Sequence, residues 1–228
     1  MKVERDPADS SVIVITGDKF TAAGPRGKVA VPKDAEIIDV KNKTVIPGLI
    51  DAHIHFSYPH RADDFLTVDT AISAFRSADM LRSMLMIGVT TVRDCMSFEN
   101  VGIRARQAFE QGLLVGSRPI VTGQGITSTG GHGSEGYAHG TTMQVDGADG
   151  FRRGVRTQLK AGADLIKVLC PFSREEILAA VQEAHAQERF ITVHPSQFKA
   201  QYDFLRWTVE AGADCFEHAY MFPDEHIP

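Results

Sequence analysis

The chain has 228 residues, 43% of them hydrophobic, enough to bury one sizeable core, so one main domain is expected. Its formal charge of -5 is spread without a block of like charges or a basic stripe, which argues against nucleic acid as a partner. The polar N-terminus and the lack of any apolar run long enough for a signal core or a span predict a cytoplasmic protein with no membrane association.

Residues 10–44 alternate short β-prone runs, at 12–15, 28–31 and 36–40, with turn dipeptides such as Gly17-Asp18 and Gly24-Pro25. This predicts a small β layer ahead of the main domain. From Thr44 onward short apolar strands alternate with longer helical stretches, the pattern of βα units on a parallel sheet. The expected strands are 45–55, 89–94, 119–123, 165–169, 190–194 and 215–218. Helices are expected at 71–87, after the capping box formed by Ser173 and Glu176, and at 198–210.

Ala-Gly-Ala-Asp occurs at 161–164 and again at 211–214, each time between a helix and a strand, with glycine as the helix stop. The fold class is therefore α/β. Six strands are expected, whereas a closed parallel barrel takes about eight βα units and about 250 residues, so the reading is an incomplete (β/α) barrel. Its open edges predict a homo-oligomer, a complementing chain or a poorly stable monomer. The cysteines Cys95, Cys170 and Cys215 are odd in number, with no Cys-x-x-Cys, and read as small buried hydrophobes.

In the segment ending Asp51-Ala52-His53-Ile54-His55, the strand period of two puts His53 and His55 on one face at the strand's C-terminal end. Alone, such a pair fits ordinary polar positions on a half-exposed strand. Position elsewhere adds weight: His194 and His218 end later strands and Lys167 lies within another, at the strand ends where barrel active sites gather. The bland reading of polar caps and an ion-paired lysine suits each residue alone, but not five metal-competent side chains on one rim.

The stretches 45–56, 88–94, 130–133, 162–167 and 216–218, in this order, resemble the amidohydrolase superfamily, and within it the imidazolonepropionase-like enzymes and metal-dependent Xaa-Pro dipeptidases. The resemblance implies one metal on His53 and His55, a second on His194 and His218, and Lys167 as a bridging carbamate formed with carbon dioxide. It implies zinc, with manganese or cobalt as alternatives, and hydrolysis of C–N bonds in amides, dipeptides or cyclic amides by metal-activated hydroxide. His132, in the glycine-rich loop 129–136, becomes the candidate for contacting the substrate carbonyl or carboxylate. His60, His139, His185 and His226 have weaker claims. Residues 1–44 correspond to a partial β-sandwich and 45–228 to a partial barrel. Arg93-Asp94 belongs to the same pattern and reads as a barrel-end ion pair without a catalytic role.

The family draws its catalytic Asp from the eighth strand, which is not found here, and Asp224 is not placed to replace it, so no catalytic residue is assigned. Only a short stretch separates Lys167 from the helix opening at Ser173, so little of a specificity loop is expected. The alternative to an amide hydrolase is thus a non-catalytic metal-binding relic, or a fragment that needs a partner chain.

Overall fold

The computed structural model describes residues 11–58, 68–135, 140–169, 173–195 and 202–218. The chain divides into two compact units, Met1–Pro47 and Gly48–Pro228. In the first, β1 (Ser11–Thr16) pairs antiparallel with β2 (Lys19–Pro25). Their two-residue loop is the expected Gly17-Asp18, with Gly17 at a φ of 64° that suits glycine. The expected strands at 28–31 and 36–40 are not formed. Their flanks close local turns, Lys28 N–H to the Pro25 carbonyl at 3.0 Å and Ala35 N–H to that of Pro32 at 3.2 Å, and the runs between are too short to build a ladder. Sequence reading also overlooked β2.

The second unit runs β3 (Leu49–Ile54), α1 (Thr70–Met86), β4 (Val89–Asp94), α2 (Val101–Glu110), β5 (Arg118–Val121), β6 (Gly125–Thr127), β7 (Thr142–Gln144), α3 (Gly147–Ala161), β8 (Ile166–Leu169), α4 (Arg174–Ala186), β9 (Ile191–His194), α5 (Tyr202–Ala211) and β10 (Cys215–Phe216). Strand pairing is parallel throughout, in the orders β3-β4-β5 and β10-β9-β8-β6-β7. All six expected strands are present, most of them shorter than expected. Pro47 and Gly48 keep the run 45–55 from pairing before Leu49, since proline donates no ladder hydrogen bond. The three-residue strands β6 and β7 went unpredicted because so short a run carries no period. The expected helix 198–210 is seen as α5, its first residues falling outside the described ones.

Alternation along the strands sorts the side chains. On β8, Ile166 and Val168 join Ile191 and Val193 of β9 in a core with Phe151, Val155, Ile177 and Val181 from the helices. Lys167, Thr192 and His194 occupy the intervening positions, so they share the sheet's other side. A second core joins Val89, Val92 and Val121 of β4 and β5 to Leu81 of α1 and Ile103 of α2.

The repeated Ala-Gly-Ala-Asp does the same job twice. Gly162 and Gly212 end their helices at φ of 110° and 81°. Asp164 then takes the Val121 N–H on its carboxylate at 2.9 Å while its own N–H donates to the Val121 carbonyl, and Asp214 repeats both bonds with Ile191. Each aspartate thereby fixes where its strand starts against the neighbour. The capping box at Ser173 and Glu176 is formed as expected.

Candidate metal centre

Four of the predicted residues come together at the C-terminal ends of their strands. His53 lies on β3 and His55 just beyond it, His194 ends β9, and His218 stands two residues past β10. The His53 ring lies 5.0 Å from that of His55 and 4.6 Å from that of His218, and the rings of His194 and His218 are 4.7 Å apart. Strand alternation alone would turn His218 to the helix side. Its backbone instead takes a left-handed φ of 69°, a conformation costing a non-glycine residue about 1–2 kcal/mol.

Two imidazoles are aimed by their Nδ1 atoms. His55 Nδ1 lies 3.1 Å from the Met96 carbonyl, and His53 Nδ1 lies 2.6 Å from a Glu217 carboxylate oxygen. Both partners can only accept, so both Nδ1 atoms carry the proton. The two Nε2 atoms face each other at 3.3 Å, and when both rings are neutral they do so as lone pairs. Zinc–nitrogen bonds of about 2.0–2.1 Å in a tetrahedron separate two ligand nitrogens by roughly 3.3–3.4 Å. Two lone pairs at that spacing fit a divalent cation and repel each other without one. Tyr58 stacks flat on His55, ring centroids 4.6 Å apart and planes 8° from parallel.

Burial pulls His55 down to about 4 and His194 down to about 2, and lowers His218 as well, with the neighbouring positive charge of Lys167 acting in the same direction on all three. These rings are therefore neutral, as metal ligation requires. Lys167 is 1% exposed and its Nζ has no hydrogen-bond partner among the described residues. Burial pulls this ammonium down to about 8. A desolvated amine of that kind is the form that reacts with carbon dioxide, and the product is an anionic oxygen ligand.

Glu217 is the functional residue that sequence reading passed over. Besides His53 it accepts from Arg93 Nη2 at 2.7 Å and from the Thr192 hydroxyl, and it is 3% exposed. Burial alone would raise this carboxyl; hydrogen bonds from His53 and Thr192, with the charges of Lys167 and Arg93, bring it down to about 2. The available signal was parity: Glu217 continues the alternation that gives Cys215 and, on β9, Thr192 and His194. The ion pair expected of Arg93-Asp94 is thus made by Arg93 with Glu217. Asp94 turns to the opposite side, fully buried against α2.

Potential ligand atoms of His53, Cys95 and Glu217 all lie within 4.8 Å of one another. This trio reads as support for His53 rather than as a ligand set, since Arg93 already neutralises Glu217. Burial also pushes the Cys95 thiol up to about 12, so it stays protonated and donates to Glu217 at 3.5 Å. Cys95 is buried as expected, though its thiol also bonds rather than only packing. Cys215 is only half-buried, its thiol lies 4.0 Å from Glu217, and Cys170 lies outside the described residues.

His132 joins the cluster, its ring 4.5 Å from that of His194 and its Nδ1 3.1 Å from Glu135. His185 does not: it is exposed on α4 and pairs with Asp214 at 3.0 Å. His60, His139, His226 and Asp224 lie outside the described residues. A cavity of about 360 Å³ at the opposite ends of the strands is lined by Leu165, Phe190, Asp164 and Asp214, among others. Both aspartates are committed to capping strands, and the polar groups deeper in its wall, Arg93, Thr192 and Cys215, are those already turned toward Glu217.

Among the described residues no helix is long and apolar enough to cross a membrane. Ochratoxinase of Aspergillus niger is 28% identical over 221 residues, an alignment covering 80% of this chain and 44% of that protein. A crystal structure of an amidohydrolase matches at 28% identity with a TM-score of 0.82, covering 95% of this chain and 58% of that one. A prolidase complexed with N-methylphosphonate-L-proline matches at 29% with a TM-score of 0.80, covering 94% and 57%. The chain thus spans about half the length of the relatives it matches. Residues 44–225 match the amidohydrolase family over most of the chain, and the chain belongs to that family.

Proposed function

We propose that the chain serves a metal-dependent hydrolase of C–N bonds, with Xaa-Pro dipeptides as the first substrate class. In this reading His53 and His55 hold one divalent ion, His194 and His218 hold a second, and Lys167, carboxylated by carbon dioxide, lies between them. The observation that carries the reading is the pair of Nε2 atoms facing each other at 3.3 Å while both Nδ1 atoms lie against acceptors. Zinc, or manganese or cobalt in its place, would polarise an amide carbonyl and make water acidic enough to attack it.

The protein's own groups are suited to the remaining tasks. Carboxylation of Lys167 joins its neutral amine to carbon dioxide through a new N–C bond and releases a proton, replacing a desolvated cation with an anion among neutral imidazoles. His132, beside His194, is placed to meet a substrate carbonyl or carboxylate. The prolidase holding a proline phosphonate supports the dipeptide class, and ochratoxinase keeps other small amides in view. The parallel sheets suit an incomplete (β/α) barrel with 1–44 as a partial β-sandwich. Exposed Leu49 and Ile50 on β3, with Phe75 on α1, support association with a second copy or a complementing chain.

One observation favours a second reading, metal binding without turnover. Glu217 bonds into the histidine cluster, and the hydrogen bonds it accepts from His53 and Thr192, with the charge of Arg93, hold its carboxyl down to about 2, too weak a base to take a proton from water. The test is zinc titration of the metal-free chain followed by assay on Xaa-Pro dipeptides. Binding lost in a His53→Ala/His55→Ala variant, with hydrolysis of the dipeptide, is the expected result. Binding without hydrolysis selects the second reading, and a chain that takes up no more zinc, manganese or cobalt than the double variant refutes both.

A further inference from the structure

Lys167 and the histidines are accounted for by the proposed metal centre, but the group formed by buried Glu217 and Thr192 with half-buried Arg93 is not. Arg93 is fixed twice, by Nε to the Ala52 carbonyl at 2.5 Å and by Nη2 to Glu217 at 2.7 Å. Ala52 precedes His53 on β3, so one guanidinium ties together the strand that carries the imidazole and the carboxylate that orients it. Thr192, opposite Lys167 in the β8–β9 register, donates its hydroxyl to the same Glu217 oxygen that Arg93 holds, and the other oxygen is left for His53.

We propose that Glu217 is a positioning residue, held by Arg93 and Thr192, which fixes His53 as the Nδ1–H tautomer and so turns its Nε2 lone pair toward that of His55. Free neutral imidazole prefers the proton on Nε2, which would point an N–H into the space the cation needs. The carboxylate reverses this preference through one short hydrogen bond. His55 reaches the same tautomer through the Met96 carbonyl, a neutral acceptor, so the two rings present matching lone pairs by different means. The role rests on the metal reading above, yet the tautomer exists in the metal-free chain and can be tested there.

The experiment is 15N NMR of the imidazole rings in the metal-free full chain, together with zinc affinity by chelator competition, for the wild type, Glu217→Gln, Glu217→Ala and Thr192→Val. Outer partners of ligating histidines typically carry 10–100-fold in metal affinity. The expected result is an unprotonated His53 Nε2 in the wild type and a shift toward the Nε2–H tautomer in Glu217→Ala. Zinc binding should weaken about 10–100-fold in that variant and by less in Glu217→Gln and Thr192→Val. Should Glu217→Ala fail to fold, the near-isosteric Gln and Val variants carry the same readouts. An unchanged tautomer with unchanged zinc affinity overturns the proposal. So does X-ray absorption showing a Glu217 oxygen or the Cys95 sulfur directly on the zinc. If the wild-type chain binds no zinc but the tautomer shifts as stated, the metal reading fails while the positioning role stands.

Discussion

Strands β8 and β9 present two sides built on opposite terms. The helix side holds Ile166, Val168, Ile191 and Val193, closed against Phe151 and Ile177 with little polar to satisfy. The other side, from the same few residues of backbone, holds Lys167, Thr192 and His194, with Glu217 and Arg93 reaching in beside them. The first side lowers free energy by excluding water; the second carries a lysine amine with no hydrogen bond among the described residues and imidazoles kept neutral. A sheet this short keeps both only because the apolar side outweighs the polar one, and the polar side is arranged for a ligand rather than for stability.

The largest effect should come from the apolar side. Phe151→Ala is expected to lower stability by about 3–5 kcal/mol, measured by urea unfolding, while the folded fraction binds zinc as before. Weakened zinc binding in the folded fraction would show that the two sides are not separable. On the polar side His55→Ala should lower zinc affinity by at least about 100-fold, about 2.7 kcal/mol, with little change in the unfolding midpoint of the metal-free chain. A large loss of stability there would make His55 a packing residue.

Lys167→Met should stabilise the metal-free chain by about 1–3 kcal/mol, because it replaces an amine lacking hydrogen bonds with a side chain content to be buried. The same change should abolish any effect of bicarbonate on zinc uptake. Destabilisation would mean that the ammonium is satisfied where it sits.

The smallest effect concerns the one ionisable group on the helix side of β4. Asp94 is fully buried, neither oxygen makes a regular hydrogen bond among the described residues, and burial raises its carboxyl well above the usual range, offset only in part by the Phe56 backbone N–H. The folded state therefore keeps this proton at pH values where the unfolded chain has released it. Stability is fully present below the unfolded pKa near 4 and falls as pH rises toward the folded pKa. Asp94→Asn should remove that fall and raise stability near neutral pH by about 1 kcal/mol, read from unfolding midpoints at pH 4 and pH 7. A wild-type chain whose stability instead rises over that interval, with no gain from the amide, would show Asp94 to be ionised and satisfied.

Much of this molecule is legible from sequence by itself. Period-two alternation sets His53 with His55, and Ile166 and Val168 against Lys167, because adjacent strand residues must point to opposite sides. Local chemistry marks the Ser173 capping box and both Ala-Gly-Ala-Asp turns, since each acts within a few residues of itself or against one neighbouring strand. The failures are equally physical. Runs at 28–31 and 36–40 look like strands but close local turns, and β6 and β7 are too short to leave a pattern. What only tertiary structure decided is distance between residues far apart in the chain. Glu217 meets His53 across 164 positions, the Met96 carbonyl fixes His55, and a left-handed turn returns His218 to the cluster. Sequence names side chains able to bind a metal, but the direction of an imidazole lone pair depends on which acceptor the fold places behind it.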